Sequence, residues 1–242
     1  MLERNELYFC ASHGFNDPFD SRGRRSFEFT SDEELIKRFV PLECSRQNIS
    51  EDEAVAYLKD MISSEMRRMG YLNANSALFQ KLVLQGFGIC CFSEIPNDIL
   101  MWSHYAGGHT GFCLEFARAD DNFLGYARKV TYPEDDEFPS VDYWIQDPNR
   151  KLEEFTKIVL TKAKHWAYES EWRAVDRPEE ISHQYVGHVG RYEPDILSGI
   201  IFGLCMSVDQ RGELQSLLAG RPVKFYEARA VKNRFQIEIV EI

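Results

Sequence analysis

The chain has 242 residues, of which 44% are hydrophobic and 28% charged, and its formal net charge is −11. These values exclude a disordered or fibrous protein and fit one large globular domain, residues 1–242, with a 13% aromatic share to fill its core. The acidic balance repels phosphate backbones and argues against broad nucleic-acid binding, and the basic run at Arg22, Arg24 and Arg25 reads as a solvated loop.

Glu6 to Ala11 is a short apolar run and predicts a strand. A strand so near residue 1 reads as a start in mid-domain. His13 to Asp20 breaks it, because Pro18 fixes its own φ and pushes Asp17 away from helical angles. Residues 31 to 85 predict a helical insertion. Ser31 with Glu34, and Ser50 with Glu53, have the form of capping boxes. Val55, Leu58 and Ile62 lie at helical spacing, with Met66 and Met69 continuing the stripe as core, and Asn75 to Gln85 gives one more short helix.

From Gly86 the pattern changes to strands. These are expected at Phe87–Phe92, Gly111–Phe116, Ala127–Tyr132, Glu171–Asp176, Gln184–Val189, Ile196–Leu204, Val223–Ala228 and Phe235–Val240. Helices are expected at Asp98–Ala106, ended by Gly107-Gly108, then at Arg150–His165 and Val208–Ala219. Pro133, Pro139 and Pro148 mark a loop. Strands outnumber crossover helices, so the expected class is α+β with a mixed, largely antiparallel sheet.

Cys10, Cys44, Cys90, Cys91, Cys113 and Cys205 form no CxxC pair. Most sit in apolar runs, where cysteine behaves as a small buried hydrophobe. With no signal-like N-terminal pattern, reduced thiols in a cytoplasm are the expectation. No apolar stretch approaches the ~20 residues that span a bilayer. A homodimer through an exposed sheet edge is one expected assembly.

Three segments concentrate polar and aromatic side chains. The first is Asn16 to Asp20, where two carboxylates flank a proline turn. It reads either as local backbone satisfaction or as a ligand contact through Asn16 and Asp17. The second holds Trp102, Ser103, His104 and Tyr105 just before a Gly-Gly bend. Trp102 and Tyr105 share a helix face, and rings with polar tips suit stacking against a planar group. The third runs from Lys164 through Trp166 to Arg173. If residues 169 to 173 are extended, Glu169, Glu171 and Arg173 project from one face, as a surface ion-pair ladder or as the wall of a polar cleft. Zinc spacings, a Walker loop, a GxGxxG turn and a G-x-S-x-G elbow are absent, and no metal site is predicted.

These motifs, Phe15-Asn-Asp-Pro-Phe-Asp20, Met101-Trp-Ser-His-Tyr-Ala106, Gly111-Phe-Cys-Leu-Glu-Phe116 and Trp166-x-Tyr-Glu-x-Glu-Trp-Arg173, resemble a widespread bacterial family known as a domain of unknown function. More distantly, the pattern resembles an ADP-ribosyltransferase-like fold. That resemblance implies NAD as ligand and a role in a toxin or phage-defence system. It also implies Glu171 as the catalytic carboxylate of a Glu-x-Glu element, with Glu169 acting on the acceptor. Trp102, His104 or Tyr105 would flank the nicotinamide. Asn16, Asp17, Lys164, Trp166 and Arg173 complete the candidate ligand contacts. Relatives carry a Lys-Tyr-Arg or His-Tyr-Thr element before Asn-Asp-Pro, which the six residues before Leu7 do not supply. Two other readings therefore stand beside the transferase. One is a non-catalytic binding or regulatory module. The other is a metal-assisted hydrolase or nuclease using Asp17, Asp20, His104, Glu169 and Glu171.

Overall fold

The computed structural model describes residues 1–25, 31–84, 87–142, 147–177 and 186–242. In chain order the elements are β1 (Glu6–Cys10), β2 (Arg24–Arg25), α1 (Asp32–Gln47), α2 (Glu51–Met61), α3 (Glu65–Leu84), β3 (Gly88–Ser93), α4 (Ile99–Tyr105), β4 (Phe112–Phe116) and β5 (Arg128–Lys129). Then follow β6 (Ser140–Val141), α5 (Pro148–Val159), β7 (Glu171–Asp176), β8 (Gly187–Arg191), β9 (Leu197–Phe202), α6 (Val208–Leu217), β10 (Lys224–Ala230) and β11 (Ile237–Glu241). The class is α+β. The strands are mixed and largely antiparallel, as expected, and form two main sheets.

The chain divides into two compact units. The first comprises Met1–Pro18, Gly86–Glu134 and Lys162–Ile242. Its five-stranded sheet has the order β5-β7-β3-β1-β8 and every neighbouring pair is antiparallel. Its four-stranded sheet has the order β11-β10-β9-β4, with one parallel pair, β9 with β10, joined through α6. The strongly apolar β9 lies inside that sheet, as its continuous hydrophobic run requires. Leu197, Ile200 and Phe202 of β9 pack with Leu7 and Phe92 of the other sheet, so the two sheets share a core. Phe92 meets Phe116 edge-on at 5.9 Å. On the opposite face of the four-stranded sheet, Ile201, Ala228 and Ile237 bury Trp102 and so fix α4.

The second unit comprises Phe19–Gln85 and Asp135–Thr161. Ser31 accepts from the Glu34 amide, and Ser50 and Glu53 complete a reciprocal capping box. Leu35, Phe39, Leu58, Ile62, Tyr71 and Leu72 form its core with Val141 and Ile158. Glu43, fully buried on α1, accepts from Tyr71 at 2.6 Å and from Gln47 at 2.5 Å, and pairs with Arg46 at 3.1 Å.

Several boundaries differ from the sequence reading. The methionine stripe is not core. α2 stops at Met61, and Met66 and Met69 belong to α3, with side chains 85% and 37% exposed. That helix is continuous through Asn75, whose amide donates to the Tyr71 carbonyl. Pro148 is the first residue of α5, where its missing N–H costs nothing, and Asp147 caps the helix. α5 ends at Val159, short of His165, because the Lys162 amide turns to the Thr131 carbonyl and 164–169 winds as a 3-10 helix. Of Ala127–Tyr132, only Arg128–Lys129 is strand. β8 starts at Gly187; residues 184 and 185, like 85 and 86, lie outside the described residues.

Candidate functional site

The site grows from the way α4 and β7 are held. Asp98 caps α4 through the Met101 amide, and the Trp102 indole donates to the Pro96 carbonyl at 2.7 Å. Gly107 and Gly108, at φ 56° and 63°, end the helix in a conformation that suits glycine. With Trp102 buried, the last turn of α4 presents His104 and Tyr105 outward, Tyr105 being 51% exposed.

The second wall is the turn before β7. The chain leaves the 3-10 helix at Glu169, passes Ser170 at φ 43° and enters the strand at Glu171. The extended run predicted for 169 to 173 is therefore broken at Ser170. The kink nevertheless aims both carboxylates at one cation. Lys162 donates to Glu169 and, at 3.0 Å, to Glu171. Arg173 grips Glu171 with Nε at 2.7 Å and Nη2 at 3.1 Å. Glu169, Glu171 and Arg173 are 3%, 3% and 1% exposed, so this is a buried network and not a surface ladder. Two anions and two cations leave it neutral, which is the condition for burying charge.

Backbone contacts fix the frame. The Glu171 amide donates to the Tyr132 hydroxyl at 3.0 Å, and Ser93 Oγ donates to the Glu169 carbonyl at 2.7 Å. Tyr105 links the network to the surface, with its hydroxyl donating to Glu169 Oε1 at 2.6 Å and accepting from Asn16 Nδ2 at 3.4 Å. The Arg173 guanidinium lies over the Phe15 ring at 5.3 Å. A string of rings borders Tyr105. His104 meets Tyr105 at 6.2 Å and Trp166 at 6.4 Å, and Trp166 meets Tyr168 at 6.1 Å. The Lys162 ammonium sits 5.0 Å from the Trp166 centroid.

The electrostatics follow. Burial opposes ionisation of Glu171, but the Arg173 hydrogen bond and charge, with Lys162, overcome it and bring its pKa to about 2. Burial also opposes the Lys162 charge, and the two glutamates outweigh it and raise its pKa. Burial and the neighbouring Glu169 raise Tyr105. Glu171 and Lys162 thus stay charged near neutrality, and Tyr105 stays a donor.

Of the residues singled out in the sequence, Asn16, His104, Tyr105, Trp166, Glu169, Glu171 and Arg173 are joined in one set of contacts. Trp102 is not, since its ring is core. Lys164 is not, since it pairs with Glu134 at the surface. Asp17 is buried and belongs to the first unit, while the buried Asp20 belongs to the second. Sequence reasoning missed Lys162, Tyr132 and Phe15. Once the fold buries both glutamates, charge balance calls for a second cation beside Arg173, but the sequence does not say which one. Among the described residues, no three His, Cys, Asp or Glu side chains gather as metal ligands, and Glu169 and Glu171 are committed to Lys162 and Arg173. No helix among the described residues is long and apolar enough to cross a membrane.

The site falls mostly within a segment that matches a protein family of unknown function. Residues 101–174 match the family described as "Protein of unknown function (DUF2971)". The matched segment holds α4 from Met101 onward, Tyr132 and all four charged members of the network. No curated protein and no solved structure matches the chain.

Proposed function

We propose that the buried ion network and its border of rings bind the planar nicotinamide end of NAD in an ADP-ribosyltransferase-like reaction. The observation that carries this reading is Tyr105. It is half exposed, stands between the rings of His104 and the carboxylate of Glu169, and is held by both Asn16 and Glu169. Rings suit nicotinamide stacking, and a preoriented carboxylate suits a sugar that becomes positively charged. In such a transfer the glycosidic C–N bond breaks and nicotinamide leaves with its electron pair. The acceptor then bonds to the ribose carbon and passes its proton to Glu169. Glu169 is the carboxylate on the side of the rings, because its Oε1 accepts from the half-exposed Tyr105 and its Oε2 from Lys162, whereas Glu171 is held by Arg173 and Lys162. Glu171 then acts as the positioning anion of the site.

That same occupation of Glu171 favours a second reading, a binding module without catalysis. Nicotinamide release from NAD separates the two. The transferase reading expects release by the unmodified protein and its loss in Glu169→Gln, with nicotinamide and NAD consumption followed by chromatography. Binding of NAD without release leaves the module. Release that survives both Glu169→Gln and Glu171→Gln ends the transferase reading.

A further inference from the structure

A second group of side chains, not bonded to the ion network, lies on the turn between β4 and β5 and at the start of β5, where Arg128 is the register partner of Arg173. Arg118 donates through Nε to the Leu124 carbonyl at 3.1 Å and through Nη2 to the Gly125 carbonyl at 3.3 Å. Arg128 donates through Nη1 to the same Gly125 carbonyl at 3.2 Å. Two guanidinium groups thus converge on one oxygen. Neither forms an ion pair with a carboxylate among the described residues. Acids are at hand: Asp120 and Asp121 stand on the same turn, and Glu94 takes Lys129 at 2.7 Å. Pinning a turn needs one guanidinium. A second on the same oxygen places like charges side by side, which is unfavourable without an anion.

The frame is rigid. A Cβ at Gly125 would lie 2.7 Å from the Asp120 carbonyl, so the turn closes too tightly for a side chain there. The Arg118 guanidinium also lies over the Trp172 ring at 5.2 Å. Both arginines are exposed, and the Tyr126 ring between them in sequence is 77% exposed. The turn uses Nε and Nη2 of Arg118 and Nη1 of Arg128, which also donates to the Ala127 carbonyl at 3.3 Å; the N–H groups left over, Nη1 of Arg118 and Nη2 of Arg128, match phosphate oxygens, and an open ring beside them suits a planar base. The net charge of −11 opposes a long polyanion at a distance, which favours a small phosphate.

We propose that Arg118 and Arg128 form a binding site for a small organic phosphate of the nucleotide class, with the phosphate on the guanidinium N–H groups that the turn does not use and the base on Tyr126. This inference stands without the NAD reading of the ion network. Amide NMR titrations of the whole chain with inorganic phosphate, adenosine monophosphate and adenosine test it, with chloride at matched ionic strength as the control. The expected result is that both phosphates shift the Gly125 and Tyr126 amides at low-millimolar concentration and adenosine does not. Arg118→Ala and Arg128→Gln should each weaken phosphate binding by about tenfold or more. Arg128→Lys, which keeps the charge, should retain part of it. Tyr126→Ala should bring the nucleotide down to the affinity of inorganic phosphate. Shifts absent from this turn in the unmodified protein, or unchanged affinity in Arg128→Gln, overturn the site. A nucleotide affinity unaffected by Tyr126→Ala overturns the nucleotide class.

Discussion

Lys162 Nζ lies 3.0 Å from Glu171 Oε2 and also donates to Glu169, so one buried ammonium joins two carboxylates that the backbone kink at Ser170 would otherwise leave facing each other. Without that cation the carboxylates would repel each other at close range in a poorly solvated place. The frame of the first unit around the site depends on it.

Replacing Lys162 with methionine should therefore cost more than loss of an ordinary lysine. Breaking a buried ion network by removing one partner destabilises by about 3–5 kcal/mol. Urea unfolding of Lys162→Met measures this. A loss under about 1 kcal/mol, typical of exposed pairs, would show the ammonium to be solvated.

Stability should also fall on acidification. The folded pKa of Glu171 is about 2, below its ordinary 4.5. A depressed carboxyl stabilises the fold above the unfolded pKa and loses that contribution as pH drops from 4.5 towards 2. The shift corresponds to a contribution on the order of 3 kcal/mol. Glu171→Gln should remove that part of the acid dependence, read from unfolding free energies across the acid range. An unchanged slope would contradict the assignment.

Tyr105→Phe deletes the hydroxyl that donates to Glu169 and accepts from Asn16. The expected stability loss is modest, about 1 kcal/mol, because the ring is half exposed. A double-mutant cycle with Glu169→Gln should return coupling of about 0.5 kcal/mol or more. Additive effects would mean that the 2.6 Å bond does not form in solution.

Much of this was readable from the residues. The 169–173 motif and the 102–105 ring cluster were singled out by type and spacing, and both border the site. Trp102 was misjudged because spacing along a helix does not say which face the core will take. The face shared with the four-stranded sheet won Trp102, and the exposed end kept His104 and Tyr105. Lys162 was hidden because a lysine two residues from Lys164 looks like any solvated cation, and only the fold distinguishes them. Ser170 was unreadable because a serine at positive φ is a local cost that tertiary contacts impose. The class and most strands followed from apolar runs. The largely antiparallel, mixed character followed as well; the division of nine strands between two sheets did not, because alternation does not specify strand partners.

In the second unit, Tyr71→Phe should destabilise by about 1–3 kcal/mol, because it removes a donor from the fully buried Glu43 carboxylate. Thermal unfolding checks this. The change should leave ligand effects at Tyr105 untouched, since every side chain of the ion network belongs to the first unit.

The most direct test of the central claim, that the network and its rings hold NAD, is the shift in unfolding temperature on adding NAD. A ligand bound only by the native state at a hundredfold its Kd adds about 2.7 kcal/mol. A concentration-dependent rise is expected for the unmodified protein and its loss in Trp166→Ala, each compared with its own ligand-free value. An equal rise in both proteins, or none in the unmodified one, would contradict that claim.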